Sequence, residues 1–478
     1  MVFSSPIFLF CFLPVFLSGT LLVPSRMRNA ILISLSFFFY FWGEQAYTLL
    51  LAASIGVNHL TVMGMKGCDR REGVRTGLLT AGIIANLCVL IFFKYSVFLV
   101  SIAATAGNAD AAAFARTWLA DGGPHLPLGI SFITFQSLSL LVDVWKRDAG
   151  YPGSVKDTAL FLSLFPQLVA GPILRFRYLR PQLDSRRITA EDLYAGACRF
   201  IVGLSKKVLV ANTLAQGVDG IFTLRMDSLT PLIAWLGAAG FALQIYFDFS
   251  GYTDMAIGLG RMAGFRFPEN FNRPYRASSI RSFWRRWHMT LSEWFRDYLY
   301  IPLGGNRKGR LRTAVHLFIV FSLCGLWHGA GWNFLIWGLC HGLLLVLERV
   351  MPPQLGAYVP LCARRLYVLV AVTVLWVFFR LDDTWQAMAY LGVMFGNGTG
   401  GFGWRTPLPG WSPECSLAFI LAAACSVLPF NTAALRIASL TPVSVVRWSQ
   451  PVAMMVLCLL VVMKLSVAAY NPFIYFRF

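Results

Sequence analysis

Six histidines, His59, His125, His288, His316, His328 and His341, are the side chains in this 478-residue sequence best suited to move a proton near neutral pH. His328 stands in Leu323-Cys-Gly-Leu-Trp-His-Gly-Ala-Gly-Trp-Asn, an apolar run whose glycines at 325, 329 and 331 weaken a helix around the imidazole. An ionisable group at membrane depth is a functional candidate by default. The plainer alternative is a packing histidine bonded to a neighbouring carbonyl. A low dielectric favours neutral imidazole, which keeps one ring nitrogen able to accept a proton. Such a general base activates a hydroxyl attacking a thioester, an effect typically worth about 10²- to 10⁴-fold in rate. No Gly-x-Ser-x-Gly or Ser-His-Asp pattern supports a covalent serine route.

His288 follows Trp284-Arg-Arg-Trp287, where Arg285 and Arg286 are suited to charge-assisted pairing with phosphates and Trp287 to the mouth of a substrate path. His288 is therefore a candidate second catalytic residue, against the alternative of a solvated interfacial histidine. His341 lies 13 residues beyond His328, about 3.6 turns on a continuous helix, and is read as structural. Asp248 and Asp254 are six residues apart and do not share an ideal helical face, so they suit separate ion pairs better than a paired-carboxylate or metal site. Gly304-Gly-Asn-Arg-Lys-Gly309 lacks the ending of a phosphate loop. Ten cysteines without a Cys-x-x-Cys pair give no zinc site and no disulfide framework.

The elements that must position these residues are membrane helices. The chain is 57% hydrophobic and 13% charged, with a mean hydropathy of +0.62, which excludes a soluble globular enzyme. Apolar runs recur from Phe3 to Ala469, separated by short basic loops, with room for about 11–13 membrane segments. The first run lacks a basic leader and reads as a retained span. Ala159–Leu174, broken by Pro166 and Gly171-Pro172, reads as re-entrant. The net charge of +19 sits in loops, where it reports topology and contact with anionic lipid and not nucleic acid. Arg261 to Arg312 alone holds 12 Lys and Arg against three acids, which places it on the cytoplasmic side. Within it, Ser282 to Tyr300 mixes aromatics and arginines as an interfacial amphipathic helix would.

These segments together resemble the membrane-bound O-acyltransferase family, in its bacterial alginate O-acetylation branch. The resemblance runs through Met1-Val-Phe-Ser-Ser-Pro, Leu128-Gly-Ile-Ser-Phe-Ile-Thr-Phe-Gln and Phe165-Pro-Gln-Leu-Val-Ala-Gly-Pro. It is densest from Tyr246-Phe-Asp-Phe-Ser-Gly-Tyr through Phe283-Trp-Arg-Arg-Trp-His to Gly325-Leu-Trp-His-Gly, and ends at Asn471-Pro-Phe-Ile-Tyr-Phe. It implies an all-α polytopic fold over residues 1–478 as one membrane domain, with re-entrant helices and a central funnel. The motif-rich core is about 126–350, with less informative C-terminal helices about 364–478.

The resemblance further implies that His328 is catalytic and that His288 supports it near the cytoplasmic end of the same path. The donor would be acetyl-CoA, with no tightly bound cofactor and no metal. The acyl group would cross the inner membrane for O-acetylation of an exopolysaccharide such as alginate. An SGNH-type acetyltransferase in the periplasm or on the surface and the polysaccharide synthesis and export complex would be the partners. Gln136 and Gln167 depart from the branch, where Glu and His are common, and leave open cellulose, peptidoglycan or D-alanyl transfer to teichoic acid. A transporter or flippase is the rival of a different class, and a polytopic glycosyltransferase a weaker one.

Overall fold

The computed structural model describes residues 1–105, 113, 117–118, 123–351, 358–397, 408–428, 443–467 and 474. Every regular element among them is helical, so the fold is all-α, as membrane burial of backbone polar groups requires of a chain that does not close a barrel. Among the described residues, seven helical stretches are long and apolar enough to cross a membrane, and Phe8–Leu21, Ile130–Trp145 and Pro413–Val427 are shorter apolar helices. One of these stretches, Ser25–Gly67, runs for 43 residues and joins two helices through a short turn, whereas Ala159–Leu174 is not a continuous helix.

The chain divides into two compact units. The first comprises Met1–Gly196 and Ala256–Pro268. Its helices Ser25–Glu44, Thr48–Gly67 and Ile130–Trp145 pack against the re-entrant segment, and Glu72–Leu90 packs on the latter two. That segment is a capped helix, Val155–Ser163, a single turn, Phe165–Leu168, and then irregular backbone, buried throughout from Leu160 onward. Phe165 is held by an aromatic cluster of Phe3, Phe8, Phe12, Phe16 and Phe39, with ring centroids 5.1–6.3 Å from its own. The N-terminal motif thus builds the wall against which Pro166 breaks the chain.

The second unit comprises Ala197–Met255 and Glu269–Phe478. Asp248 and Asp254, on the Pro231–Met262 helix, take separate partners here. Asp248 pairs with Lys207 at 2.7 Å and accepts the Ile474 N–H at 2.9 Å. Asp254 pairs with Arg199 and Lys206, each at 2.6 Å. The rest of the Asn471–Phe476 motif lies outside the described residues.

The unit's centre is a helical hairpin, Arg310–His328 and Trp332–Val350, joined by Gly329-Ala-Gly331. A Cβ on Gly325 would collide with the Phe334 carbonyl, and one on Gly338 with the Phe321 carbonyl, so only glycine lets the two backbones approach this closely. Leu361–Arg380 packs against the hairpin.

One expectation is overturned. Ser282 to Tyr300 is not a single interfacial helix but two short ones, Ile280–Trp284 and Met289–Phe295, followed by a π-helical turn, Arg296–Tyr300. His288 breaks the run by adopting a left-handed conformation, φ 42° and ψ 55°. Trp284, Trp287, Leu291 and Trp294 are buried in protein, where aromatic packing outcompetes the membrane surface.

Candidate active site

His328 occupies the last position of its helix, where the hairpin turn ends regular hydrogen bonding. It is 2% exposed, and its ring lies among Trp327, Trp337 and Phe379, with centroids 4.8, 5.1 and 5.2 Å away. The hairpin turn also separates His328 from His341, so the two are not on one helix. Trp337 nevertheless packs against both, its centroid 4.9 Å from that of His341. His341 is fully buried and accepts the Trp284 indole N–H.

His288 is fully buried between Phe249, at 4.8 Å, and Trp327, at 5.9 Å. Trp327 therefore touches both His288 and His328. Nδ1 of His288 lies 3.0 Å from Oδ1 of Asn270, which also accepts the N–H and the hydroxyl of Thr290. Burial pushes the His288 imidazole down to about 3, so it is neutral at physiological pH. A non-glycine residue in the left-handed region costs about 1–3 kcal/mol. His288 is held there by the Met289 N–H bonded to the Asn270 carbonyl and the Ser292 N–H bonded to the His288 carbonyl.

Beside this cluster lies a cavity of about 870 Å³. Arg281, Arg285, Arg296, Arg349 and Arg364 line it together with Glu293, Glu348 and Tyr367. Val320, Phe321, Cys324 and Leu344 form its apolar wall. Cys324 is one helical turn before His328. Trp284 also lines the cavity and packs on Trp337 at 5.7 Å, so two aromatic contacts lead from the wall to His328.

Of the three residues suggested for the donor, only Arg285 lines this cavity. Arg286 bonds the Asn272 carbonyl, and Trp287 is fully buried, stacked on Phe283 at 5.6 Å. Asn270, Glu348, Arg349 and Arg364 are the polar residues that sequence reasoning missed. Asn270 carried a signal, since an asparagine in Pro268-Glu-Asn-Phe-Asn-Arg-Pro lies 18 residues before His288 in a segment already marked by charge. Glu348 and Arg349 come to the cavity from the far end of the His341 helix and Arg364 from the start of Leu361–Arg380, outside any motif.

The other histidines have ordinary partners: His59 the Thr158 hydroxyl at 3.0 Å, His125 the Glu44 carboxylate at 3.2 Å, and His316 the Gly305 carbonyl at 2.9 Å. Gln136 and Gln167 are buried in the first unit, where Gln167 donates to the Phe161 carbonyl at 2.6 Å.

Helices of membrane length, two of which carry the buried His328 and His341, make this a membrane-embedded protein with an arginine-lined cavity beside its buried histidines. The model of the membrane-bound O-acyltransferase family matches residues 73–381, and the chain belongs to that family. It is similar to the probable alginate O-acetylase AlgI of Azotobacter vinelandii, 43% identical over 84% of this chain and 79% of the relative. The protein of that name from Pseudomonas putida is 38% identical over the whole of both chains. The peptidoglycan O-acetyltransferase of Helicobacter pylori is 34% identical over 83% of this chain and 80% of the relative. The chain is thus an acyltransferase and a multi-pass protein of the bacterial inner membrane.

Proposed function

We propose that this protein, working as one membrane domain, takes an acetyl group from cytoplasmic acetyl-CoA and passes it across the inner membrane for O-acetylation of an exopolysaccharide such as alginate. The observation that carries the proposal is the cavity whose arginines suit a polyphosphate and whose apolar wall ends one turn from His328. Its volume, about 870 Å³, falls within the range of about 300–1,000 Å³ typical of small-molecule sites. The strongly basic Arg261–Arg312 segment, which supplies several of those arginines, supports a cytoplasmic entrance. The names of the relatives favour a polysaccharide acceptor over the transporter reading.

His328 acts as general base. It takes the proton from an acceptor hydroxyl as that oxygen attacks the thioester carbonyl; the new C–O bond forms, the C–S bond breaks, and the proton then neutralises the departing thiolate. His288 supports this transfer, and Arg285 with the other cavity arginines holds the donor's phosphates. A polymer O-acetyltransferase of the SGNH type and the synthesis and export machinery are the partners. The test is label transfer from radiolabelled acetyl-CoA by protein in nanodiscs with its partner, wild type beside His328→Ala. Transfer by the wild type alone supports the proposal; equal transfer by both removes His328 from the chemistry, and none by either removes acetyl-CoA as donor.

A further inference from the structure

We infer that Asn270 is a positioning residue that locks His288 in one tautomer, with the proton on Nδ1 and the lone pair of Nε2 left as proton acceptor. The inference rests on the acetyl-transfer reading for its catalytic meaning, while the tautomer follows from the hydrogen bonds alone. Oδ1 of Asn270 lies 3.2 Å from the Thr290 N, 2.9 Å from the Thr290 hydroxyl and 3.0 Å from Nδ1 of His288. A backbone N–H only donates, so the amide atom facing Thr290 is the oxygen. An amide oxygen only accepts, so Nδ1 of His288 must donate to it. A neutral imidazole carries one N–H, and Nε2 therefore keeps its lone pair.

Nε2 is buried and has no hydrogen-bond partner among the described residues. A buried acceptor without a partner is destabilising, and that cost is retained here together with a left-handed backbone. Both features cluster at sites where a group is held ready for a reaction. Burial lowers the proton affinity of His288, and its packed neighbours include the rings of Phe249 and Trp327. Asn270 is thus the polar side chain that orients the ring, and it does so from a segment clamped to His288 by the Met289 N–H.

Two measurements test this on the full chain in nanodiscs. The first is the ¹⁵N spectrum of histidine-labelled protein, with the His288 signal assigned by its loss in His288→Gln. The Nδ1–H pattern is expected, and an Nε2–H pattern overturns the inference. The second is the pH profile of acetyl transfer in Asn270→Leu and Asn270→Asp. Leu, which removes the acceptor, should lower kcat about 10- to 100-fold with KM for acetyl-CoA within about twofold of wild type. Asp keeps the acceptor and adds a charge, so it should restore much of kcat and move the acid limb upward by about one pH unit or more. Wild-type kcat in the Leu variant, or equal losses in both variants with no movement of the limb, overturns the positioning role. No transfer in the wild type would sink the acetyl-CoA reading separately, with the nitrogen spectrum still deciding the tautomer.

Discussion

The indole N–H of Trp284 donates to Nδ1 of His341 across 3.3 Å, joining the short helix that lines the cavity to the second helix of the histidine hairpin. An indole nitrogen only donates, so His341 carries its own proton on Nε2. Trp284→Phe keeps the ring packing and strands a buried acceptor, which should cost about 1–3 kcal/mol of stability. Denaturation in mixed micelles checks this, and an unchanged midpoint would mean the bond contributes nothing.

Removal of the His328 imidazole should lower acetyl transfer by at least about 10²-fold, the lower bound for a general base, while the protein still inserts in the membrane. The comparison is single-turnover label transfer by His328→Ala and wild type at matched amounts of membrane-extracted protein. A loss below tenfold would assign the proton to another group.

The cavity arginines should act on donor binding and not on chemistry. Arg349→Gln is expected to raise KM for acetyl-CoA about 5- to 50-fold at low salt with kcat little changed, and the effect should shrink as ionic strength rises. Steady-state kinetics at two salt concentrations decide it. A fall in kcat at constant KM would move the arginine into the reacting centre.

Lys207 and Asp248 form an ion pair in which both side chains are almost fully buried. Lys207→Met leaves the carboxylate without its cation and should destabilise the protein by about 3–5 kcal/mol, whereas Lys207→Met with Asp248→Leu should recover most of that loss. Unfolding of the two variants beside wild type gives the answer, and equal stability of all three would make the pair dispensable.

Burial lowers the His288 pKa from its ordinary 6.5 to about 3. Unfolding returns the ring to water, so between those values the unfolded state binds the extra proton and stability rises with pH. The contribution of neutral His288 is complete above about pH 6.5 and is lost progressively as pH falls towards 3. His288→Gln should flatten the slope of stability between about pH 7 and pH 5, and an unchanged slope would place the titration elsewhere.

Much of the fold was legible because a bilayer leaves few choices: apolar runs of membrane length must be helices, and Pro166 and Gly171 must interrupt one. His328 and His288 stood out because a histidine in an apolar or aromatic run is rare enough to demand a reason. The path of Ser282–Tyr300 was not legible. Its alternation of tryptophan and arginine has the same pattern on a membrane surface as in a protein core, and the difference lies in the left-handed turn at His288, a conformation that few non-glycine residues adopt. Arg349 and Arg364 were invisible for another reason: each is an ordinary basic residue at a helix end, and only the tertiary fold brings them to the cavity.

The glycine contact in the hairpin bears on motion. Where side chains interdigitate, helices slide past one another by changing rotamers, a low-barrier shear. At Gly325 and Gly338 backbone meets backbone, and there are no rotamers to change. The two helices that carry His328 and His341 are therefore expected to move as one body. Any widening between the cavity and His328 would have to come from parts that can rotate about single bonds, Trp284 foremost.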